Sequence, residues 1–456
     1  MELTGKNILV VGLARSGLAA AQFLLRRQAR VSATDLRPAA ELQDALSRLQ
    51  GAVRLRLGGH DREDFLRADL VILSPGVPAS LPEVRAAVEA GVPVWSEVEL
   101  AFRYSRGTFV GITGSNGKTT TTELLGRICR EAGLKTVVGG NVGTPLVQFA
   151  DDSDAETVFV VELSSFQLET ISSFRCRIAL LLNVTPDHMD RYPDFATYLE
   201  AKKRVFLNQT SDDFAVLNRD DPTTASLERS LRAQKFYFSR RSRTAPGAGV
   251  RDGIVTIQWR DEALAVMPAA ESPLMGLHNL ENVLAATSAA YLLGIPADRI
   301  RDGVRSFPGV EHRLEFVRQI QGVDFYNDSK ATNPESTARA LEAFDRPLFV
   351  IMGGLDKGGD FSILSDLLKA RARKALLIGA AADKIARALP PQLDQRRCDS
   401  LEEAVREAFE EARPGDLVLL SPACASFDMF DDYEHRGRVF KEAAKALEQA
   451  PEEKCR

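Results

Sequence analysis

Residues 109–133 read FVGITGSNGKTTTTELLGRICREAG, an apolar run, a glycine-bearing turn and a helical pattern in direct succession. A strand that passes straight into a helix in this way belongs to a parallel sheet, because the helix has to carry the chain back across a sheet face. FVGI is the expected strand, TTTTELLGRICREAG (119–133) the expected helix, and Gly133 its stop. The glycines between them let backbone N–H groups turn inward onto an anion, and the helix N-terminus adds partial positive charge. Gly114, Ser115, Asn116, Gly117, Lys118, Thr119 and Thr120 are therefore candidate phosphate-cradle residues. Lys118 is placed to reach β- and γ-phosphates, and the Thr119 hydroxyl to ligate magnesium. The spacing departs from G-x-x-x-x-G-K-[ST]: the first glycine would fall on Ile112, with Gly111 one residue early and Gly114 two late. An ordinary glycine-rich strand-to-helix turn is the alternative, and the Gly-Lys-Thr-Thr run at the helix start weighs against it.

The same alternation recurs along the chain. NILVVG (7–12), RVSATD (30–35) and LVILSPG (70–76) are buried-strand runs, with SGLAAAQFLLRRQ a helix between the first two. VFVVEL (158–163), RIALLLNV (177–184) and the helix NLENVLAATSAAYLLG (279–294) follow the phosphate-loop candidate, with Gly294 as that helix's stop. FVIMGG, KALLIG and DLVLLSP alternate with helical stretches such as SLEEAVREAFEEA after Phe307-Pro308-Gly309. A chain of 456 residues is too long for one ordinary core. The expected architecture is α/β with three domains, at 1–97, 98–307 and 308–456. The tail QAPEEKCR is expected to fray.

A formal charge of −5 argues against a nucleic-acid partner. Five cysteines (Cys129, Cys176, Cys398, Cys424, Cys455) without Cys-x-x-Cys spacing suit a reducing compartment and suggest no zinc site. No apolar run reaches the roughly 18 residues of a membrane span. The expectation is a cytoplasmic enzyme without a membrane partner.

A phosphate loop needs acids for its metal. Glu162 closes VFVVE, and Asp187-His188 follow RIALLLNV. Sites in open α/β sheets form at the carboxyl ends of strands, which puts both beside Lys118. A capping or surface acid is the alternative for Glu162, and a hydrogen-bonded structural histidine for His188. In the first segment, Gly12-Leu-Ala-Arg-Ser-Gly17 after a strand, with Asp35 ending the next, has the layout of a dinucleotide fold. Ala14 stands where the middle glycine would admit a pyrophosphate closely, which weakens a nicotinamide reading.

GITGSNGKTTT, GGNVGTP (139–145), ELSSFQLE (162–169), NVTPDHMDRYP (183–193), GLHNLENVLAA (276–286) and EHRLEF (311–316) together resemble the Mur ligases. So do YNDSKATNPEST (326–337), GGLDKGGDF (353–361) and LSPACASFDMFDDYEHRG (420–437), these three most like the members that add D-glutamate. The resemblance runs through essentially the whole chain in consistent order, and T-G-x-N-G-K-[ST] is how the family looks at the loop. It implies a Rossmann-like UDP-binding N-terminal domain, a central P-loop ATPase domain and a Rossmann-like C-terminal domain for the amino acid. The implied reaction is ATP + UDP-N-acetylmuramoyl-L-alanine + D-glutamate giving the dipeptide, ADP and phosphate, in peptidoglycan precursor synthesis.

The implied sites follow residue by residue. Lys118, His188 and Lys202 would be catalytic. Thr119, Glu162, His188 and Lys202 would hold two magnesium ions, with Lys202 carbamylated; a helix-surface lysine like the adjacent Lys203 is its alternative. Asn141, Asn279, Asn282, Arg313, Asp328 and Lys330 would meet ATP, some from the third domain, so that domain closure would complete the site. A surface arginine is the alternative for Arg313. Arg15, Ser16, Asp35, Arg37 and Ser74 are uridine or diphosphate candidates. Thr332, Lys357, Ser426, Phe427 and Tyr433 would meet D-glutamate, although Ser426 equally suits a helix N-cap. The expected assembly is a monomer. Sister ligases adding L-alanine, a diamino acid or glutamate to folate are the near alternatives. Asp328-Ser-Lys330-Ala-Thr-Asn stands where the L-alanine and diamino acid enzymes carry a His-containing run. A nicotinamide-dependent dehydrogenase leaves Lys118 unexplained, and a nucleotide-switch module leaves the third segment unexplained.

Overall fold

The computed structural model describes residues 2–49, 51–189, 191–242 and 244–447. The tail QAPEEKCR, with Cys455, lies outside the described residues. The chain forms two compact units, Met1–Ser272 with His278–Phe307, and Pro273–Leu277 with Pro308–Arg456.

The first unit holds two sheets. Five parallel strands lie in the order Arg54–Leu57, Arg30–Asp35, Asn7–Val11, Leu70–Leu73, Val94–Ser96. The order reverses between Asn7–Val11 and Leu70–Leu73, so a crevice opens at their carboxyl ends, where doubly wound sheets bind ligands. The helix Arg15–Arg26 starts there and packs very close: a Cβ on Gly17 would lie 1.8 Å from the Gly12 carbonyl oxygen.

The second sheet has nine strands, in the order Thr136–Gly140, Val158–Glu162, Thr108–Thr113, Ile178–Leu181, Phe214–Asn218, Gln234–Ser239, Gly247–Arg251, Ile254–Trp259, Glu262–Pro268. The first seven run parallel, and their buried members Val158–Glu162 and Ile178–Leu181 have no exposed residue. The last two pair antiparallel, at an edge that the sequence reading did not resolve into strands. A signal was present: Arg251 pairs with Ile254 across Asp252-Gly253, both at positive φ (50° and 78°). Asp-Gly is the favoured pair for that primed two-residue turn.

The second unit carries six strands, in the order Glu315–Ile320, Val323–Asn327, Leu417–Leu420, Leu348–Gly353, Ala372–Ile378, Asp394–Arg397. All pairs are parallel except the first hairpin, which turns through Gln321-Gly322, again both at positive φ.

Between the two sheets of the first unit runs the helix Glu97–Tyr104, capped by the Ser96 hydroxyl. Its Glu99 is fully buried, and its carboxylate accepts the N–H groups of Ser172 (2.8 Å), Ser173 (2.9 Å) and Phe174 (2.8 Å) and the Arg103 Nε–H (2.6 Å). One side chain thus satisfies three loop amides and ties the helix to the nine-stranded sheet's loops. Glu99→Ala leaves the partly exposed Arg103 guanidinium and those loop amides without their acceptor, and should cost about 2 to 3 kcal/mol, read as a lower Tm in thermal unfolding of the full chain.

Candidate active site

The strand Thr108–Thr113 delivers the chain to Gly114 and Gly117, at φ +154° and +84°, and the helix Lys118–Glu131 begins at the next residue. Only glycine fits at Gly117, because a Cβ there would lie 2.3 Å from Asn282 Oδ1. Asn282 in turn accepts from the Thr121 hydroxyl (3.3 Å) and donates to Asn279 Oδ1 (3.0 Å), so both asparagines of the helix Leu277–Leu292 pack against the start of the loop's helix. On the other side the loop is held by the segment after Ile178–Leu181. Ser115 N–H donates to Asn183 O (2.9 Å), Asn116 N–H to Asn183 Oδ1 (2.8 Å), and the Ser115 hydroxyl to Thr185 O (2.9 Å). Asn183 and Thr185 were missed as site residues, though they lie within the NVTPDH motif.

Two lysines converge on this loop. Lys118 Nζ donates to the carbonyls of Gly114 (2.8 Å) and Ser115 (2.9 Å), and Lys202 Nζ also donates to Gly114 O (2.8 Å). Lys202 is 2% exposed, which rules out the helix-surface alternative; Lys203, its neighbour, pairs instead with Glu200. Burial first, and the charge of Lys118 second, push the Lys202 amine down to about 7, against the opposing pull of Asp187 and Glu162. Tyr198, one helical turn before Lys202, lies with its ring 4.6 Å from Nζ and its hydroxyl 3.1 Å from Ser115 Oγ.

Glu162 ends its strand at 2% exposure, so it is not a surface acid. Its Oε1 accepts from Asn141 Nδ2 (2.9 Å), while Oε2 is buried with no hydrogen-bond partner among the described residues. A buried carboxylate oxygen left without a donor is the donor chemistry a hard divalent cation takes, and the residues present fit magnesium. His188 is exposed, held at φ +54°, with its ring 4.9 Å from Phe166 and Nε2 3.6 Å from Asp187.

A cavity of about 530 Å³ opens at the crevice of the five-stranded sheet. Arg15, Ser16, Asp35, Arg37 and Ser74 all line it, and so does Asn141, the partner of Glu162. Asp35 accepts from Leu13 N–H (2.7 Å) and twice from the Arg37 guanidinium. Burial alone would raise its carboxyl, but these bonds and the Arg37 charge hold it down to about 2. The Ser74 hydroxyl donates to Gly12 O (2.8 Å), and Arg15 donates to Gly143 O. His60 and Gln167 also line the cavity and were missed, since neither stands in a glycine motif.

The second unit groups its own candidates. Asp328 ends the strand run at Asn327, fully buried, accepting from the Ser421 hydroxyl (2.9 Å) and Leu314 N–H (3.2 Å); burial pushes its carboxyl up to about 7. Lys330 Nζ lies 5.1 Å over the Tyr433 ring, and Thr332 N–H donates to Lys330 O (2.9 Å). Arg313 is half-buried, and its charge acts on Asp328. Leu355 pairs with Ala425, which brings Lys357 within 6.0 Å of the exposed Phe427 ring, next to buried Ser426. Ser426 is no α-helix N-cap; the following helix Tyr433–Ala446 is capped by Asp432. The two groups are joined by Arg436, fully buried, which donates to Ser329 Oγ (2.9 Å), Ser329 O (2.7 Å) and Cys424 O (3.1 Å).

Three family models match the chain: Mur ligase MurD-like, N-terminal domain, over residues 6–96; Mur ligase middle domain over 112–290; and Mur ligase, glutamate ligase domain over 312–424. The UDP-N-acetylmuramoylalanine–D-glutamate ligase of Geobacter metallireducens is 48% identical over 450 residues, 98% of this chain and 99% of that one. The enzyme of the same name from Acidobacterium capsulatum is 46% identical over 97% of this chain and 96% of its own. Among solved structures, UDP-N-acetylmuramate-alanine ligase from Thermotoga maritima covers 97% of this chain and 100% of its own at a TM-score of 0.61 and 18% identity, a likeness of fold. The chain belongs to the Mur ligase family.

Proposed function

We propose that this chain joins D-glutamate to UDP-N-acetylmuramoyl-L-alanine at the expense of ATP, through an acyl phosphate, in peptidoglycan precursor synthesis. The observation that carries this reading is the convergence of Lys118 and Lys202 on the Gly114 carbonyl, within the field of Glu162, whose Oε2 has no hydrogen-bond partner among the described residues. Phosphorylating a carboxylate sets one anion against another, and a site that does so has to gather positive charge. Lys118 now spends two hydrogen bonds on loop carbonyls, and ATP phosphates would take it over as stronger, charged acceptors.

The Mur ligases use ATP and magnesium. Magnesium, when bound, would draw negative charge off the transferring phosphoryl group. Thr119, Glu162, His188 and Lys202 are the residues proposed to hold two ions. Because the Lys202 amine sits at about 7, an appreciable share is uncharged at neutral pH. A neutral amine adds carbon dioxide to give a carbamate and a proton, which replaces a cation by an anion with two oxygens. Asn141, lining the cavity and bonded to Glu162, links the proposed nucleotide-sugar crevice to the proposed phosphoryl site.

The chain is then organised as a UDP-substrate domain (1–97), an ATP domain (98–307) and an amino acid domain (308–456). Gly114–Thr120, Asn141, Asn279 and Asn282 contact ATP, with Arg313, Asp328 and Lys330 as its remaining contacts. Arg15, Ser16, Asp35, Arg37 and Ser74 hold the uridine diphosphate. Thr332, Lys357, Ser426, Phe427 and Tyr433 hold D-glutamate. No helix among the described residues is long and apolar enough to cross a membrane. We place the enzyme in the cytoplasm, as a monomer acting on small molecules.

Phosphate release should require both UDP-N-acetylmuramoyl-L-alanine and D-glutamate; turnover with L-alanine or meso-diaminopimelate in its place would overturn the assignment. Lys118→Ala should lower kcat by roughly 10²- to 10³-fold in the same assay, with UDP-substrate affinity little changed. Carbon-13 bicarbonate should give a carbamate NMR signal that grows as pH rises through about 7 and is missing from Lys202→Arg.

A further inference from the structure

The first unit contains a larger cavity, of about 840 Å³, that none of the residues above explains. Its lining includes five cationic side chains, Arg85, Arg191, Lys203, Arg204 and Arg232, but only two carboxylates, Glu169 and Glu200. Both carboxylates are already engaged. Glu200 pairs with Lys203 (2.6 Å); Glu169 pairs with Arg191 (3.2 Å) and accepts the Tyr192 hydroxyl. Among the described residues the Arg204 guanidinium donates only to the carbonyls of Leu168 (2.7 Å) and Ile171 (2.7 Å). The guanidinium groups of Arg85 and Arg232 make no hydrogen bond or ion pair with another described residue. The cavity therefore has uncompensated positive charge, mostly as guanidinium forks, which suit phosphate oxygens. Phe206, Leu207 and Leu231 give it an apolar wall, with Leu207 half exposed. The volume lies in the ordinary range for a small-molecule site.

Its walls are the backs of elements that carry the phosphate-loop chemistry. On the helix Phe195–Lys203, Lys202 is buried against Gly114 O, while Thr197, Glu200 and Lys203 face the cavity. His188 O accepts the N–H groups of Arg191 and Tyr192 (both 3.0 Å), so one tight turn serves both sides. The Arg191 guanidinium lies 3.7 Å over Phe166, the ring that contacts His188, and donates to Pro75 O (3.1 Å) beside the smaller cavity.

We propose that this cavity is a second ligand site, for a small phosphate-bearing molecule with an apolar portion, and that its occupation alters turnover through the 188–203 segment. A bound phosphate competes with Glu169 for Arg191 and with Glu200 for Lys203, and so loads the elements that position His188 and Lys202.

Titration calorimetry of the full chain without ATP or magnesium tests this, with phenyl phosphate and inorganic phosphate as probes. Phenyl phosphate should bind the more tightly, to the unaltered chain and to Lys118→Ala alike. The double variant Arg85→Glu/Arg232→Glu should weaken it at least tenfold while keeping the unaltered kcat and KM for ATP. With saturating substrates, phenyl phosphate should change kcat at least twofold in the unaltered chain and leave the double variant unchanged. Binding that disappears in Lys118→Ala and survives in the double variant would mean that only the phosphate loop is occupied, and overturns the proposal. So does the absence of binding, or binding with kcat unchanged in the unaltered chain.

Discussion

The Gly114 carbonyl accepts a hydrogen bond from each of two lysines, and much of the first unit is arranged so that it can. Burial first, and repulsion from the Lys118 ammonium second, drive the Lys202 amine towards neutrality, to about 7. That arrangement survives only if the loop cannot relax away. Asn183 and Thr185 hold it on one side; on the other, Asn282 fills the space where a side chain at Gly117 would stand. The glycine loop is thus held by hydrogen bonds from neighbouring strand ends, with Lys118 and Lys202 both on the Gly114 carbonyl.

Sheet topology supplies the rest of the site. Thr108–Thr113, Val158–Glu162 and Ile178–Leu181 are adjacent and parallel, so the loop, Glu162 and the Asn183–His188 segment leave the sheet at the same edge. The crevice of the five-stranded sheet reaches that edge through Asn141. Asn141 thus joins the crevice to the Glu162 carboxylate, whose Oε2 has no hydrogen-bond partner among the described residues. In the second unit the same logic appears without a phosphate loop: Arg436, a buried cation, spends its donors on backbone and hydroxyl oxygens and fixes the Ser329 and Cys424 loops that present Lys330 and Ser426.

Local pattern made several of these elements legible. The buried-strand runs ending at Val11, Thr113 and Glu162 are where the sequence puts them, because consecutive β-branched and apolar residues have no other stable place. The hairpins at Asp252-Gly253 and Gln321-Gly322 escaped notice because their strands alternate with polar residues at sheet edges, where hydrophobic runs are short. His60, Gln167, Asn183 and Tyr198 were invisible as site residues, each polar or aromatic in a way that any surface residue can be.

What the sequence determined by itself was the chemistry on offer: a glycine-turned phosphate loop with a lysine, acids at strand ends, and motifs whose order marks a Mur ligase. Backbone propensity and short-range spacing are enough for that. Only the tertiary structure decided which groups meet and in what protonation state. Lys202 and Lys203 are indistinguishable as neighbours in a chain, yet one is buried against Gly114 and driven towards neutrality while the other pairs with Glu200. The difference is one of helix face and dielectric, which contacts between residues 88 positions apart create and no local pattern contains.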